Sequence, residues 1–164
     1  MSGASRVSVR AAELADSERV LTIVRQSISQ LCVADHHDDP VTLERWLANK
    51  TPEHFARWLA DADSVLLVAE LDAYARGVGN LSRAGKIHLC YVEPGFERAG
   101  LGTALLAELE RRAQAWGLAE VSLDSTCKAC GFYARHGYQP AAAACAAFGV
   151  LRCYPFKKSI GHNS

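Results

Sequence analysis

The chain has 164 residues, 49% of them apolar, enough for one sizeable core and too few for two ordinary domains, so a single domain over 1–164 is the expectation. Eighteen Lys and Arg balance eighteen Asp and Glu with neither sign in a long run, so no net field draws the protein to nucleic acid or to an anionic membrane. No window approaches the ~20 apolar residues of a bilayer span, and Met1 to Arg10 lacks the apolar core of a signal peptide; a cytoplasmic location is expected, with the six cysteines read as thiols.

Arg6 to Ala11 is short and β-branched, and Leu21, Val24, Ile28 and Leu31 then recur at helical spacing, so a strand leads into an amphipathic helix. Ala34 to Pro40 carries two His and three Asp without apolar periodicity and reads as an exposed loop. Asp39-Pro40 and Thr51-Pro52 each offer a helix start, which predicts two short helices ending near Lys50 and Asp61 with Trp46, Phe55 and Trp58 as packing anchors. Val65 to Glu70, Tyr74 to Ser82 and Ile87 to Val92 read as three strands of an antiparallel meander. Leu101, Leu105, Leu109, Ala113 and Trp116 form one helical stripe, Glu108 can pair with Arg112, and Gly117 is a natural stop. Glu120 to Ser125 alternates as a strand, and Thr126 precedes a helical segment that should end at Gly137. Ala141 to Ala147 is ambiguous between loop and helix, and Val150 to Lys157 reads as a closing strand. The order implies a mixed α+β sheet with some parallel pairing across a helical crossover.

The chemistry concentrates where a strand ends at Val92-Glu93-Pro94 and a Gly-containing loop, Arg98-Ala99-Gly100-Leu101-Gly102-Thr103, opens onto the best helix. Backbone N–H groups in a helix's first turn have no intrahelical acceptor, and Gly100 and Gly102 leave room for a phosphate to approach them. A lone G-x-G would signify only a tight turn. The whole stretch, however, resembles the acetyl-CoA pyrophosphate loop of the GNAT superfamily of N-acetyltransferases. A second ordered match follows in Thr126-x-x-Ala129 and Phe132-Tyr133-Ala134-Arg135-His136-Gly137-Tyr138, similar to that family's Asn-x-x-Ala-x-x-Phe-Tyr-x-x-x-Gly-Phe segment. Two departures stand out: Glu97 takes the usual Gln or Arg position, placing a carboxylate near the phosphates, and Thr126 replaces Asn.

The resemblance implies a mixed, mostly antiparallel sheet of six to seven strands with helices on both faces and splayed central strands. It also implies acetyl-CoA as co-substrate and transfer of its acetyl group to a primary amine by direct attack. Arg98, Ala99, Gly100, Gly102 and Thr103 would hold the pyrophosphate, with Thr126, Ala129 and Tyr133 beside the cofactor arm. The backbone of Cys90 would meet the acyl carbonyl, Val92 would pair with the pantetheine, and Tyr133 would protonate the departing thiolate. An alkylamine is protonated at neutral pH and needs a base; His88 is the candidate by type and nearness, with Glu70 and Asp124 behind it. An acyl-Cys90 intermediate with His88 as its base is the less favoured route, because buried cysteines commonly serve as small hydrophobes. Cys32, His36 and His37 form a substrate contact set, since the loop after the first helix borders the acceptor cleft in the family.

Cys127-x-x-Cys130 has a zinc or redox spacing but no second ligand pair to complete a tetrahedral site, so no metal is expected. The acceptor is read as a small-molecule or peptide amine, with no nucleic acid and no membrane, and a homodimer is left open. The rival function is a non-catalytic acyl-CoA-binding or sensing module, which would keep the phosphate loop without needing Tyr133.

Overall fold

A computed structural model describes residues 6–161. Met1 to Ser5, part of the segment read as lacking a signal-peptide core, and His162 to Ser164 lie outside the described residues. The strands β1 (Val7–Ala11), β2 (Ser64–Leu71) and β3 (Tyr74–Ser82) form an antiparallel meander, joined on its far edge by β5 (Leu89–Val92). A second sheet is built from β4 (Lys86–Ile87), β6 (Glu120–Ser125), β9 (Leu151–Ser159) and β7 (Gln139–Pro140), with β8 (Cys145–Phe148) pairing on β9 as a hairpin. Among the described residues only β4 and β6 run parallel. The mixed, mostly antiparallel α+β class is as expected; the strand count among the described residues is nine rather than six to seven, because the Ile87 to Val92 strand is cut at His88 and two strands are only two residues long.

Helices cover both faces because side chains on a strand alternate sides. On β2, Leu66 and Val68 point to one core with Val20, Val24 and Ile28 of α1 (Ser17–Gln26 and the turn after it), Trp46 of α3 (Pro40–Leu47) and Phe55 of α4 (Pro52–Ala60). Leu67 and Ala69 point to the other, where Leu101, Leu105, Leu106 and Leu109 of α5 (Leu101–Ala115) are fully buried. Each such Leu contributes about 1.5–3 kcal/mol relative to an exposed one. Asp39 and Thr51 cap α3 and α4 through side-chain oxygens that accept the Thr42 and His54 amides, as their positions before proline suggested. Glu108 binds both Arg111 and Arg112 along the exposed side of α5.

Three local readings are corrected. Ala34 to Pro40 is not an exposed loop: Val33–His36 forms the short helix α2, with Asp35 and His36 buried despite their polarity because each finds hydrogen-bonding partners. The segment after Thr126 makes a turn first and becomes helical, as α6, only over Cys130–Arg135. The ambiguous alanine-rich stretch contributes β8, paired to a closing strand that runs to Ser159.

Candidate active site

The two sheets separate at one residue, and that separation makes the site. Lys86 and Ile87 pair with Ser122 and Leu123 of β6, but beyond His88 the chain leaves β6 and pairs with β3 instead. The buried Asn80 side chain makes the switch: its Oδ1 accepts the backbone N–H groups of both His88 and Leu89 at 2.9 Å. From there β5 and β6 diverge, leaving the β5 edge that faces β6 without a strand partner among the described residues. Antiparallel pairing uses every second residue. The Glu93 amide bonds to Arg76 O, so Tyr91 and Leu89 share its orientation toward β3, while the backbone groups of Cys90 and Val92 face the gap.

A cleft of about 410 Å³ occupies this gap, lined by Ile87 to Val92 on one wall and Leu123 to Thr126 on the other. Its floor is Ala129, Phe132 and Tyr133, and its mouth carries Glu97, Arg98 and Gly102. Gly100 caps α5 at φ 86°, a left-handed conformation that a glycine adopts without steric cost, and a Cβ there would meet open space. The first amide to bond back into the helix is that of Ala104, to Gly100 O at 3.0 Å, so the amides of Leu101, Gly102 and Thr103 remain available at the mouth. Gly102 has a different reason for being small: a Cβ there would lie 3.0 Å from Phe132 Cζ. The glycine thus lets α6 pack against the start of α5. Thr103 strengthens the same junction, because His136 Nδ1 donates to Phe132 O at 2.8 Å and leaves Nε2 to accept the Thr103 hydroxyl at 3.0 Å.

The charge at position 97 is partly spent. Glu97 Oε2 accepts the Gly95 amide at 2.9 Å, which turns the carboxylate back over the preceding turn, while Arg98 also borders the cleft. Ala99, partly buried, packs on the core beside it. Thr126 fills the Asn position usefully: its Oγ1 accepts the Ala129 amide at 3.1 Å and closes the turn that launches α6.

Tyr133 is 6% exposed and lines the cleft with Cys90. Burial raises its pKa well above the usual tyrosine value, and neighbouring Cys90 adds to the rise, so the phenol keeps its proton at any physiological pH. Burial likewise pushes the Cys90 thiol up to about 11 and the Cys32 thiol up to about 12, which leaves both as poor nucleophiles at neutral pH. His88 is shifted the other way, its pKa lowered by burial and then by the Lys86 cation, so the imidazole is neutral at pH 7. The other two base candidates are engaged: Asp124 lines the cleft but holds Lys86 at 2.9 Å, and Glu70 binds Arg10 at 3.2 Å on β2, outside the cleft lining.

Of the expected substrate contacts, Cys32 lines the cleft together with Ser27 and Leu31 of a π-helical turn that extends α1. His36 does not reach it; it is fully buried edge-on to Trp46, with Nε2 against Ser29 O. His37 is exposed in a left-handed conformation that ends α2, away from the cleft lining. The sequence reading missed the role of Asp35, whose buried carboxylate accepts the Cys127 amide at 2.6 Å and the Lys128 amide at 3.3 Å and so anchors the turn before α6. It also missed the tie His136 makes to Thr103, and Asn80, for which a buried-looking Asn beside two strand glycines was the one available signal.

A family model described as the acetyltransferase (GNAT) domain matches residues 23–159. The chain belongs to the GNAT acetyltransferase family. Solved structures agree: a GCN5-related N-acetyltransferase from Rhodopseudomonas palustris superposes with a TM-score of 0.83 at 25% identity, covering 97% of this chain and 99% of that one. The PaiA N-acetyltransferase from Thermoplasma acidophilum, solved in complex with coenzyme A, superposes with a TM-score of 0.76 at 20% identity over 94% and 99% of the two chains. No curated protein sequence matches the chain. Among the described residues no three His, Cys, Asp or Glu side chains come together as metal ligands, and no helix is long and apolar enough to cross a membrane.

Proposed function

We propose that this GNAT protein is an N-acetyltransferase that moves the acetyl group of acetyl-CoA to a primary amine by direct attack. The observation that carries the reading is the free edge of β5, which faces a cleft with the open amides of α5 at its mouth and Tyr133 beside Cys90 at its floor. This donor set fits the group: unpaired strand amides suit an extended amide-bearing arm, and helix-terminal amides with Arg98 suit a pyrophosphate. Acetyl-CoA supplies an acyl thioester when bound. Neutral His88 accepts a proton from the incoming ammonium, directly or through water, and frees the lone pair that attacks. The Cys90 N–H donates toward the acyl oxygen as negative charge builds on it. Tyr133, still protonated, donates to the sulfur as it departs, and its phenolate takes up the second proton, which the nitrogen sheds as the amide forms.

The test is amine-dependent release of CoA thiol, followed in wild type and in Tyr133→Phe. Turnover in wild type with kcat lowered about 10²–10⁴-fold in the variant, and acetyl-CoA affinity retained, supports the reading. Acetyl-CoA binding without turnover of any amine favours a non-catalytic acyl-CoA-binding module.

A further inference from the structure

Four of the six cysteines have a place in the cleft or its supports. Cys32 and Cys90 line it, Cys130 donates to Thr126 O, and the Cys127 amide is held by Asp35. Cys145 and Cys153 have no such place. They stand directly opposite each other on the antiparallel strands β8 and β9, with sulfur atoms 2.6 Å apart. Opposed residues of antiparallel strands have Cα atoms about 4.5–5.5 Å apart, inside the 4.4–6.8 Å that a disulfide spans. A cross-link between them therefore needs no backbone movement. Cys145 is exposed and Cys153 half-buried, so an external oxidant reaches the first more easily than the second.

The hairpin they close is lightly held otherwise. Its register is irregular between Ala146 and Phe148, and Gly149 turns it at φ 53°. Apart from the buried Leu151, its tip is tied to α3 by the Val150 amide on Thr42 Oγ1 and by Arg45 over the Phe148 ring. Immediately after Cys153, Tyr154 and Pro155 pair with Ser125 and Asp124, both of which line the cleft. A covalent tie at 145–153 thus fixes a strand that forms the back of the cleft wall.

We propose that Cys145 and Cys153 are a dithiol pair that a low-molecular-weight disulfide oxidises reversibly to an intrachain cross-link. The Cys145 thiolate attacks one sulfur of the oxidant R–S–S–R, forming a mixed disulfide and releasing the first R–S⁻. The Cys153 thiolate then attacks the Cys145 sulfur, forming the intrachain bond and releasing the second R–S⁻. The two protons lost by the cysteines end on two molecules of R–SH, so two thiols are oxidised and one disulfide is reduced. Its greater exposure suits Cys145 as first attacker and Cys153 as the resolving thiol. An exposed disulfide of this kind is accessible to reductants, which makes the step reversible.

The experiment treats the full chain with oxidised glutathione, alkylates the remaining thiols, digests with trypsin and maps the peptides by mass. Trypsin cuts after Arg135, Arg152 and Lys157, so the cross-link joins peptides 136–152 and 153–157, which otherwise separate. The linked pair should appear on oxidation and vanish with dithiothreitol, and Cys153→Ser should instead trap a glutathione adduct on Cys145. Alkylated thiols at both positions after oxidation, or a cross-link running through Cys127 instead, would overturn the proposal. The wild-type map needs no variant to fold, and it is independent of whether any amine is acetylated.

Discussion

Replacing Asp35 by alanine should unsettle α6 from a distance, because this carboxylate lies 92 positions before the Cys127 amide it accepts at 2.6 Å. A hydrogen bond to an ionised acceptor contributes about 1.5–3 kcal/mol, and the second bond, to the Lys128 amide at 3.3 Å, is long enough to add little. Cys127 and Lys128 are exposed, so water can reach the freed amides and the cost should sit near the low end, about 2 kcal/mol. For a chain of this size that corresponds to a fall in Tm of roughly 4–8 °C. Asp35→Asn, which keeps one oxygen for Cys127, should lose about half as much. Urea and thermal unfolding of the three proteins measure the stability, and calorimetric titration of acetyl-CoA measures whether Ala129 and Tyr133 are still presented. An alanine variant within about 0.5 kcal/mol of wild type, with unchanged affinity, would show that Asp35 does not hold this turn.

Other outcomes follow from the same geometry. Glu97→Gln keeps an acceptor for the Gly95 amide while removing a negative charge from the cleft mouth, so acetyl-CoA should bind about two- to fivefold tighter at low salt, with the gain shrinking as salt is added. With His88 as base and its pKa lowered by burial and Lys86, the acid limb of kcat/KM should fall below pH 6.5 and should disappear in His88→Ala. Lys50 is 8% exposed and burial lowers its folded pKa to about 8 from an ordinary 10.5, so the folded state binds fewer protons than the unfolded one between those values. Stability should therefore rise with pH across that window, by on the order of 3 kcal/mol, and the rise should be absent in Lys50→Met on urea titration. Phe55→Ala, which empties a fully buried position against α1, should cost about 3–5 kcal/mol, read by the same denaturation.

Much of the fold was legible because its signals are local. The α5 stripe, the Asp39 and Thr51 caps before proline and the alternation of β6 each depend on neighbours within a few residues, and each formed as read. The cleft's mouth and floor were legible through ordered motifs around Gly100 and Tyr133. What the sequence concealed was long-range. Polar Asp35 and His36 suggest a solvated loop until their partners at Cys127 and Ser29 are known, and burial then follows from satisfied hydrogen bonds. The break at His88 depends on Asn80, eight residues earlier on the neighbouring strand, and no periodicity within β4 and β5 announces it. Gly102 was singled out for leaving room for a phosphate, whereas the atom its missing Cβ avoids belongs to Phe132, thirty positions away.

The central claim is that the free edge of β5 and the first turn of α5 together hold acetyl-CoA, and amide hydrogen exchange followed by NMR tests it residue by residue. On adding acetyl-CoA, exchange should slow at Cys90, Val92, Gly102 and Thr103, while Tyr91, already bonded to β3, should change little. Protection confined to the neighbouring pocket around Lys50, Arg57 and Ser64, which meets the cleft at His88 and Leu89, or no protection at any of these four amides at saturating acetyl-CoA, would contradict the account.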